Sequence, residues 1–211
     1  MQVALVDYDS GNLHSAEKAF ALMGRETGVE VVVTSDPDIV ARADRIVLPG
    51  DGAFPACKAA LDAVPGMVEA LEDAVIRRAV PFMGICVGMQ MLADLGHEYR
   101  ETAGLGWIGG EIEAIRPADA SLKVPHMGWN DLQLRGTHPV LGGVRDGDHA
   151  YFVHGWQFHT ADQSHLLADV DYGGPVTAVV GRDNIIGTQF HPEKSQAVGL
   201  RIIANFLSWR P

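Results

Sequence analysis

With 211 residues, 47% of them hydrophobic and 20% charged, the chain has enough material for one well-filled core. A formal net charge of -11, from 16 Lys plus Arg against 27 Asp plus Glu, repels phosphate backbones, and no basic tract offsets it, so nucleic-acid binding is not expected. No apolar run reaches the roughly 18 residues of a membrane span, and Asp7 and Asp9 interrupt the opening segment where a leader would be apolar, so a cytoplasmic protein without membrane association is expected.

"VALVDY" (3–8) reads as a buried strand, and Asn12 is placed to cap a helix beginning near Leu13. Leu13, Ala16, Phe20 and Met23 recur at helical spacing through "LHSAEKAFALMG" (13–24), with Gly24 as the stop. "VEVVVTS" (29–35) and "RIVLPG" (45–50) are strand-like, residues 54–79 read as helix broken near Pro65-Gly66, "VPFMGI" (80–85) is a short buried strand, and "GMQMLADLG" (88–96) reads as helix. Later, "GEIEAIR" (110–116), "HAYFVHGWQFHT" (149–160), "VTAVVG" (176–181) and "NIIGTQF" (184–190) look like strands joined by Gly and Asp turns. "SQAVGLRIIANFLSW" (195–209) closes as an amphipathic helix with Ile202, Ile203, Phe206 and Leu207 inward. The pattern predicts one α/β domain over 1–211, a mostly parallel sheet flanked by helices with an antiparallel or mixed extension in the second half.

The chemistry begins at "GICVGMQ" (84–90). A Gly-x-Cys-x-Gly pattern between a buried strand and a helix has the form of a nucleophile elbow with Cys in place of Ser. Gly84 and Gly88 remove the Cβ atoms that such a sharp turn would bring into collision. Cys86 is then presented at the positive end of the following helix, where thiolate is favoured. Cys57, in "FPACKAALDAV", has no such frame and reads as a packing residue; both thiols are expected reduced.

A thiolate needs a proton shuttle, and "GTQFHPEKSQ" (187–196) supplies one at the end of an apolar strand. His191 can accept the thiol proton and Glu193 can hold the other ring nitrogen, since two residues' separation in extended backbone projects both side chains the same way. Pro192 keeps His191 out of helical geometry. "THPVLGG" (137–143) also contains His-Pro but has Val140 where the carboxylate would stand, so His138 reads as a turn residue. His154 and His159, five apart in a strand, fall on opposite faces, and neither HExxH nor paired cysteines occur; no metal and no cofactor are expected.

"GICVGMQ" followed by "TQFHPEKS" resembles the class I, triad-type glutamine amidotransferases. "MQVALVDYDSGNLHS", "LPGDGAF", "GLGWI", "VPHMGWN" and "YFVHGWQF" extend the likeness over nearly the whole chain, toward the glutaminase subunits of imidazole glycerol phosphate synthase in histidine biosynthesis. The resemblance implies a catalytic triad of Cys86, His191 and Glu193 that hydrolyses L-glutamine through a glutamyl thioester. It implies an oxyanion hole from the backbone N–H groups of Gly52 and Val87, and glutamine contacts from Gly50, Gly52, Gln90, Gly155 and Trp156. It also implies a (β/α)8-barrel cyclase as partner in a one-to-one heterodimer, touched by Asn12, His126, Met127, Trp129 and Lys194. Two positions depart from the family pattern. His154-Gly155-Trp156 replaces His-Ser-Tyr, which leaves backbone contacts at 155 and 156, and Asp51 stands where a small apolar residue is usual. Its carboxylate is expected to point away from the thioester, because aimed inward it would oppose the developing charge. The alternatives are a glutaminase of another synthase, such as that for pyridoxal phosphate, a free-standing cysteine hydrolase, and a non-catalytic scaffold subunit.

Overall fold

Near-continuous apolar runs in the first half become strands buried on both faces, as a covered parallel sheet requires. The computed structural model describes residues 1–10 and 13–211, so Asn12, expected as a helix cap and partner contact, lies outside the described residues. The elements run β1 (Gln2–Val6), α1 (Leu13–Thr27), β2 (Glu30–Thr34), α2 (Pro37–Arg42), β3 (Arg45–Gly50), α3 (Phe54–Ala63) and α4 (Met67–Leu71), which passes into a π-helical turn at Glu72–Arg77. Then come β4 (Phe82–Cys86), α5 (Val87–Gln90), β5 (Leu95–Gly96), β6 (Thr102–Ala103), β7 (Gly110–Ala114), β8 (His126–Asp131) and β9 (Gln133–Leu134). The chain finishes with β10 (His149–His154), β11 (Trp156–Thr160), β12 (Leu166–Asp171), β13 (Pro175–Arg182), β14 (Ile185–Thr188) and α6 (Gln196–Ser208).

Among the described residues the main sheet has the order β2-β1-β3-β4-β14-β13-β12-β9. β2, β1, β3, β4 and β14 are mutually parallel, while β13, β12 and β9 extend the sheet antiparallel, so the expected mixed architecture holds. Helices α1 and α6 pack together, with Phe20 and Phe206 edge to face at 6.3 Å. Two smaller sheets, β10-β8 and β11-β7-β5-β6, stand beside the main one.

Three local expectations are corrected. Helix α1 runs through Gly24 to Thr27 and ends at Gly28, whose φ of +68° is the left-handed turn residue. Gly24 is instead required for closeness, since a Cβ there would stand 2.8 Å from the Val29 carbonyl oxygen. The helix expected over 88–96 lasts one turn, Val87–Gln90, and the chain then turns into β5. The long strand expected over 149–160 divides at Gly155, because β10 pairs with β8 and β11 with β7 in a different sheet.

Candidate active site

Parallel strands deliver their carboxyl ends to one rim, and in open α/β sheets that rim is where ligands bind. Here Gly50 at the end of β3 pairs with Cys86 at the end of β4. On the other side Thr188 of β14 pairs with Ile85. The loop after β3, the cysteine after β4 and the "QFHPE" segment after β14 therefore emerge side by side.

Cys86 has φ 55° and ψ −114°, a left-handed-side backbone rare for a residue with a Cβ. The neighbouring glycines make it sterically attainable. A Cβ on Gly88 would fall 1.9 Å from the Leu48 carbonyl oxygen, and one on Gly84 would fall 2.6 Å from the Gly88 oxygen. The elbow read from the sequence is thus present, but one of its supports is weaker than expected. A single-turn α5 carries little aligned dipole, so the electrostatic help at Cys86 comes from side chains.

Those side chains are His191, Glu193 and one the sequence reading missed. Nδ1 of His191 pairs with Oε1 of Glu193 at 2.8 Å, with both side chains buried. Pro192–Lys194 forms a 3-10 turn, so the turn rather than extended backbone brings the carboxylate back to the imidazole. Ser195 fixes this turn, donating to the His191 carbonyl at 2.7 Å and accepting from the Tyr151 N–H at 3.0 Å. Among the described residues Nε2 of His191 has no partner in full hydrogen-bond geometry, while the ring interacts with the nearby Cys86 sulfur, so Nε2 is the nitrogen left to exchange a proton at the site. Burial disfavours the imidazolium, but the nearby Cys86 sulfur and Glu193 outweigh it and push the pKa of His191 up to about 10. The missed residue is Gln189, fully buried, whose Nε2 donates to the Cys86 sulfur at 3.7 Å. A polar residue at the end of an apolar strand must find partners once buried, and that rule was the available signal.

The loop after β3 is held from behind. Ser10 Oγ donates to the Asp51 carbonyl at 3.2 Å, the Cys57 sulfur lies 3.5 Å from the same oxygen and 3.0 Å from Ser10 Oγ, and Tyr8 donates to the Pro49 carbonyl at 2.6 Å. Cys57 is buried as expected, with its thiol pushed up by burial, yet it also braces this loop. Across a trans peptide the N–H of Gly52 points opposite to the Asp51 carbonyl. Gly52 has φ +117°, a conformation only glycine adopts readily.

A cavity of about 210 Å³ opens over Cys86, lined by Asp51, Gly52, Val87, Gln90, Glu98, Val153, His154, Gly155 and Trp156 among others. It brings together the residues named for the oxyanion hole and, apart from Gly50, those named for glutamine. Glu98, also missed, caps α3 by accepting the Phe54 N–H at 2.7 Å. Gln90 spends its Nε2 on the Trp156 carbonyl at 3.2 Å and on Gln189 Oε1 at 3.0 Å.

The residues named for partner contact separate by strand alternation on β8. Met127 and Trp129 point outward, 63% and 48% exposed, and Lys194 is half-buried. His126 points the other way and is only 2% exposed, so it is not a surface contact. It stacks on Phe152 with ring centroids 4.8 Å apart and lies tilted against Tyr172 at 4.1 Å, and its Nδ1 meets His154 Nε2 at 3.0 Å. His154 and His159 lie in separate strands, one buried and lining the cavity, the other exposed. His138 caps a short turn, accepting the Val140 N–H at 3.2 Å.

Residues 4–209 match the family described as Glutamine amidotransferase class-I. The chain is 62% identical to the protein named imidazole glycerol phosphate synthase subunit HisH of Ruegeria pomeroyi and 63% to that of Cereibacter sphaeroides, each over the full length of both chains. The subunit of the same name from Rhodospirillum rubrum is 58% identical, again over both full lengths. Among solved structures, one described as a glutamine amidotransferase superposes with a TM-score of 0.72 at 18% identity, covering 97% of each chain. The glutaminase domain of Trypanosoma brucei CTPS with bound acivicin gives 0.64 at 14% identity, covering 100% of this chain and 95% of that one. These two likenesses support the fold. The chain belongs to the class-I glutamine amidotransferase family, and within it to the branch of the imidazole glycerol phosphate synthase HisH subunits.

Proposed function

We propose that the chain is the glutaminase subunit of an imidazole glycerol phosphate synthase, with Cys86, His191 and Glu193 as its catalytic residues. The observation that carries this reading is the His191–Glu193 pair at 2.8 Å beside a cysteine on a strained elbow, beneath a cavity sized for one amino acid. The full-length relatives named HisH support the synthase over other glutaminases.

The Cys86 thiolate attacks the side-chain carboxamide carbon of L-glutamine, and the carbonyl π electrons move onto oxygen. The N–H groups of Val87 and Gly52 receive that oxyanion: Val87 opens α5, so its N–H has no helical acceptor, and the Asp51 carbonyl is turned toward Ser10 and Cys57, which leaves the Gly52 N–H facing the cavity side. His191, protonated and oriented by Glu193, gives its Nε2 proton to the departing amine as the C–N bond breaks, releasing ammonia. A water then loses a proton to His191 and attacks the thioester, and glutamate leaves as the thiol is restored. Gln90, with both amide hydrogens committed inside the protein, offers its Oε1 to a donor on the ligand.

In this reading residues 1–211 act as one domain in the cytoplasm, and ammonia passes to a (β/α)8-barrel cyclase in a one-to-one complex. Met127 and Trp129 stand outward on β8, and Met127 pairs across to Val153, which lines the cavity, so these two apolar side chains suit such a contact. Among the described residues no helix is long and apolar enough to cross a membrane. Glutamate release measured with and without the purified cyclase subunit and its nucleotide substrate tests the assignment. Stimulation by the cyclase is expected; folded protein inactive in every combination refutes it.

A further inference from the structure

His126 and His154 form a buried pair that the triad chemistry does not use, and the direction of every hydrogen bond around them can be deduced from both ends. At one end, His154 Nδ1 lies 2.8 Å from the Trp156 carbonyl oxygen, which can only accept, so that nitrogen carries the hydrogen. Burial keeps His154 neutral, which makes its Nε2 an acceptor, and His126 Nδ1 at 3.0 Å must donate to it. His126 Nε2 is then an acceptor.

At the other end, the Asn130 amide is oriented without reference to either histidine. Its Oδ1 accepts the Asp131 N–H at 2.8 Å and its Nδ2 donates to the Asp171 carbonyl at 3.0 Å; a flipped amide would set two acceptors and two donors face to face. Asn130 therefore presents an N–H to His126 Nε2, 3.2 Å away. One arrangement satisfies both ends, with the hydrogen on Nδ1 of both rings.

The relay ends at the substrate cavity. The Trp156 carbonyl that receives His154 also receives Gln90 Nε2 at 3.2 Å, and both Gln90 and His154 line the cavity over Cys86. We propose that His126 and His154 are positioning residues for glutamine recognition: the one-way chain Asn130, His126, His154 fixes the Trp156 carbonyl, which in turn fixes which end of the Gln90 amide faces the ligand. The proposal rests on the glutaminase reading above.

Three measurements test it on the complex with saturating cyclase subunit. His126→Phe keeps an aromatic ring between Phe152 and Tyr172 but removes the donor to His154. It should raise the glutamine KM about tenfold with kcat within about twofold, the loss of one buried hydrogen bond acting on binding. His126→Asn restores a donor at the Nδ1 position and should recover most of that loss, while alkylation of Cys86 by iodoacetamide stays unchanged in both. An unchanged KM in folded His126→Phe, or equal KM values in the Phe and Asn variants, overturns the proposal. Nitrogen-15 NMR of the unaltered protein decides independently of any variant's folding: hydrogens on Nδ1 of both rings support it, and a hydrogen on Nε2 of either overturns it. Absence of glutaminase activity in the unaltered complex would instead refute the functional reading, leaving the tautomer result to stand on its own.

Discussion

At Cys86 the backbone is held in a conformation that a residue with a Cβ avoids, and the sulfur is met by two groups from the segment after β14, His191 and Gln189. Gln189 Nε2 can only donate, and hydrogen bonds to an ionised acceptor are the stronger ones, so this contact strengthens whenever the sulfur carries negative charge in the reaction. Gln189→Met removes that donor at similar length, and we expect glutaminase kcat and the rate of Cys86 alkylation by iodoacetamide both to fall about tenfold. Asp51 presents the opposite case. It is exposed, and the contacts that hold the loop are to its backbone carbonyl rather than its carboxylate. Asp51→Val should therefore leave glutamine turnover in the complex within about threefold, because no reacting charge is stabilised by the side chain. A hundredfold change would place the carboxylate in the site itself.

Among the elements, the elbow between β4 and α5 carries the tightest constraint. Gly88 passes so close to β3 that an added Cβ would overlap the Leu48 carbonyl oxygen. Gly88→Ala should cost about 3 kcal/mol or more, read as a lower urea midpoint, since backbone on both sides has to move. The strands that meet there were legible in the sequence because parallel strands covered on both faces are simply apolar, as "RIVLPG" and "VPFMGI" are. Boundaries set by partners were not legible. The twelve residues of "HAYFVHGWQFHT" have strand character throughout, yet they divide at Gly155 because each half pairs with a different strand. In the same way α5 stops after Gln90, since the carbonyls of the following turn, Met91 to Asp94, accept from Gly104–Ile108 instead of from a continuing helix; Leu105 and Trp107 donate to Met91 and Leu92 carbonyls at 2.7 and 2.9 Å.

On the scale of the whole molecule, the buried histidines set how stability follows pH. Desolvation lowers the pKa of His126 from 6.5 to about 4 and that of His154 to about 3. The unfolded chain therefore binds more protons over that range, so the stabilisation from keeping these rings neutral is complete above about pH 6.5 and is lost as pH falls through their folded values. His191 acts in the reverse sense: its pairing with Glu193 and the Cys86 sulfur is fully present below about 6.5 and is lost as pH rises through about 10. Urea midpoints should thus fall on the acid side, and His126→Phe should flatten that limb. An acid limb of unchanged slope in the variant would show that His126 is not among the groups responsible.

The sequence by itself laid out the candidate triad and determined the architecture. A cysteine framed by glycines at a strand end, and a histidine with a carboxylate two residues on, are local patterns whose steric and electrostatic reasons lie within a few residues of each other. Alternation of apolar strands and helices likewise specifies a covered parallel sheet without knowledge of its partners. What only the tertiary structure decided is which groups face one another across the chain. Gln189 reaches Cys86 over 103 positions, Ser10 and Cys57 converge on the Asp51 carbonyl, and His126, expected at a partner surface, turns inward to His154. The reason is physical: a buried polar side chain takes its role from the atom that satisfies it, and that atom is supplied by a different strand or loop whose position only the assembled core fixes.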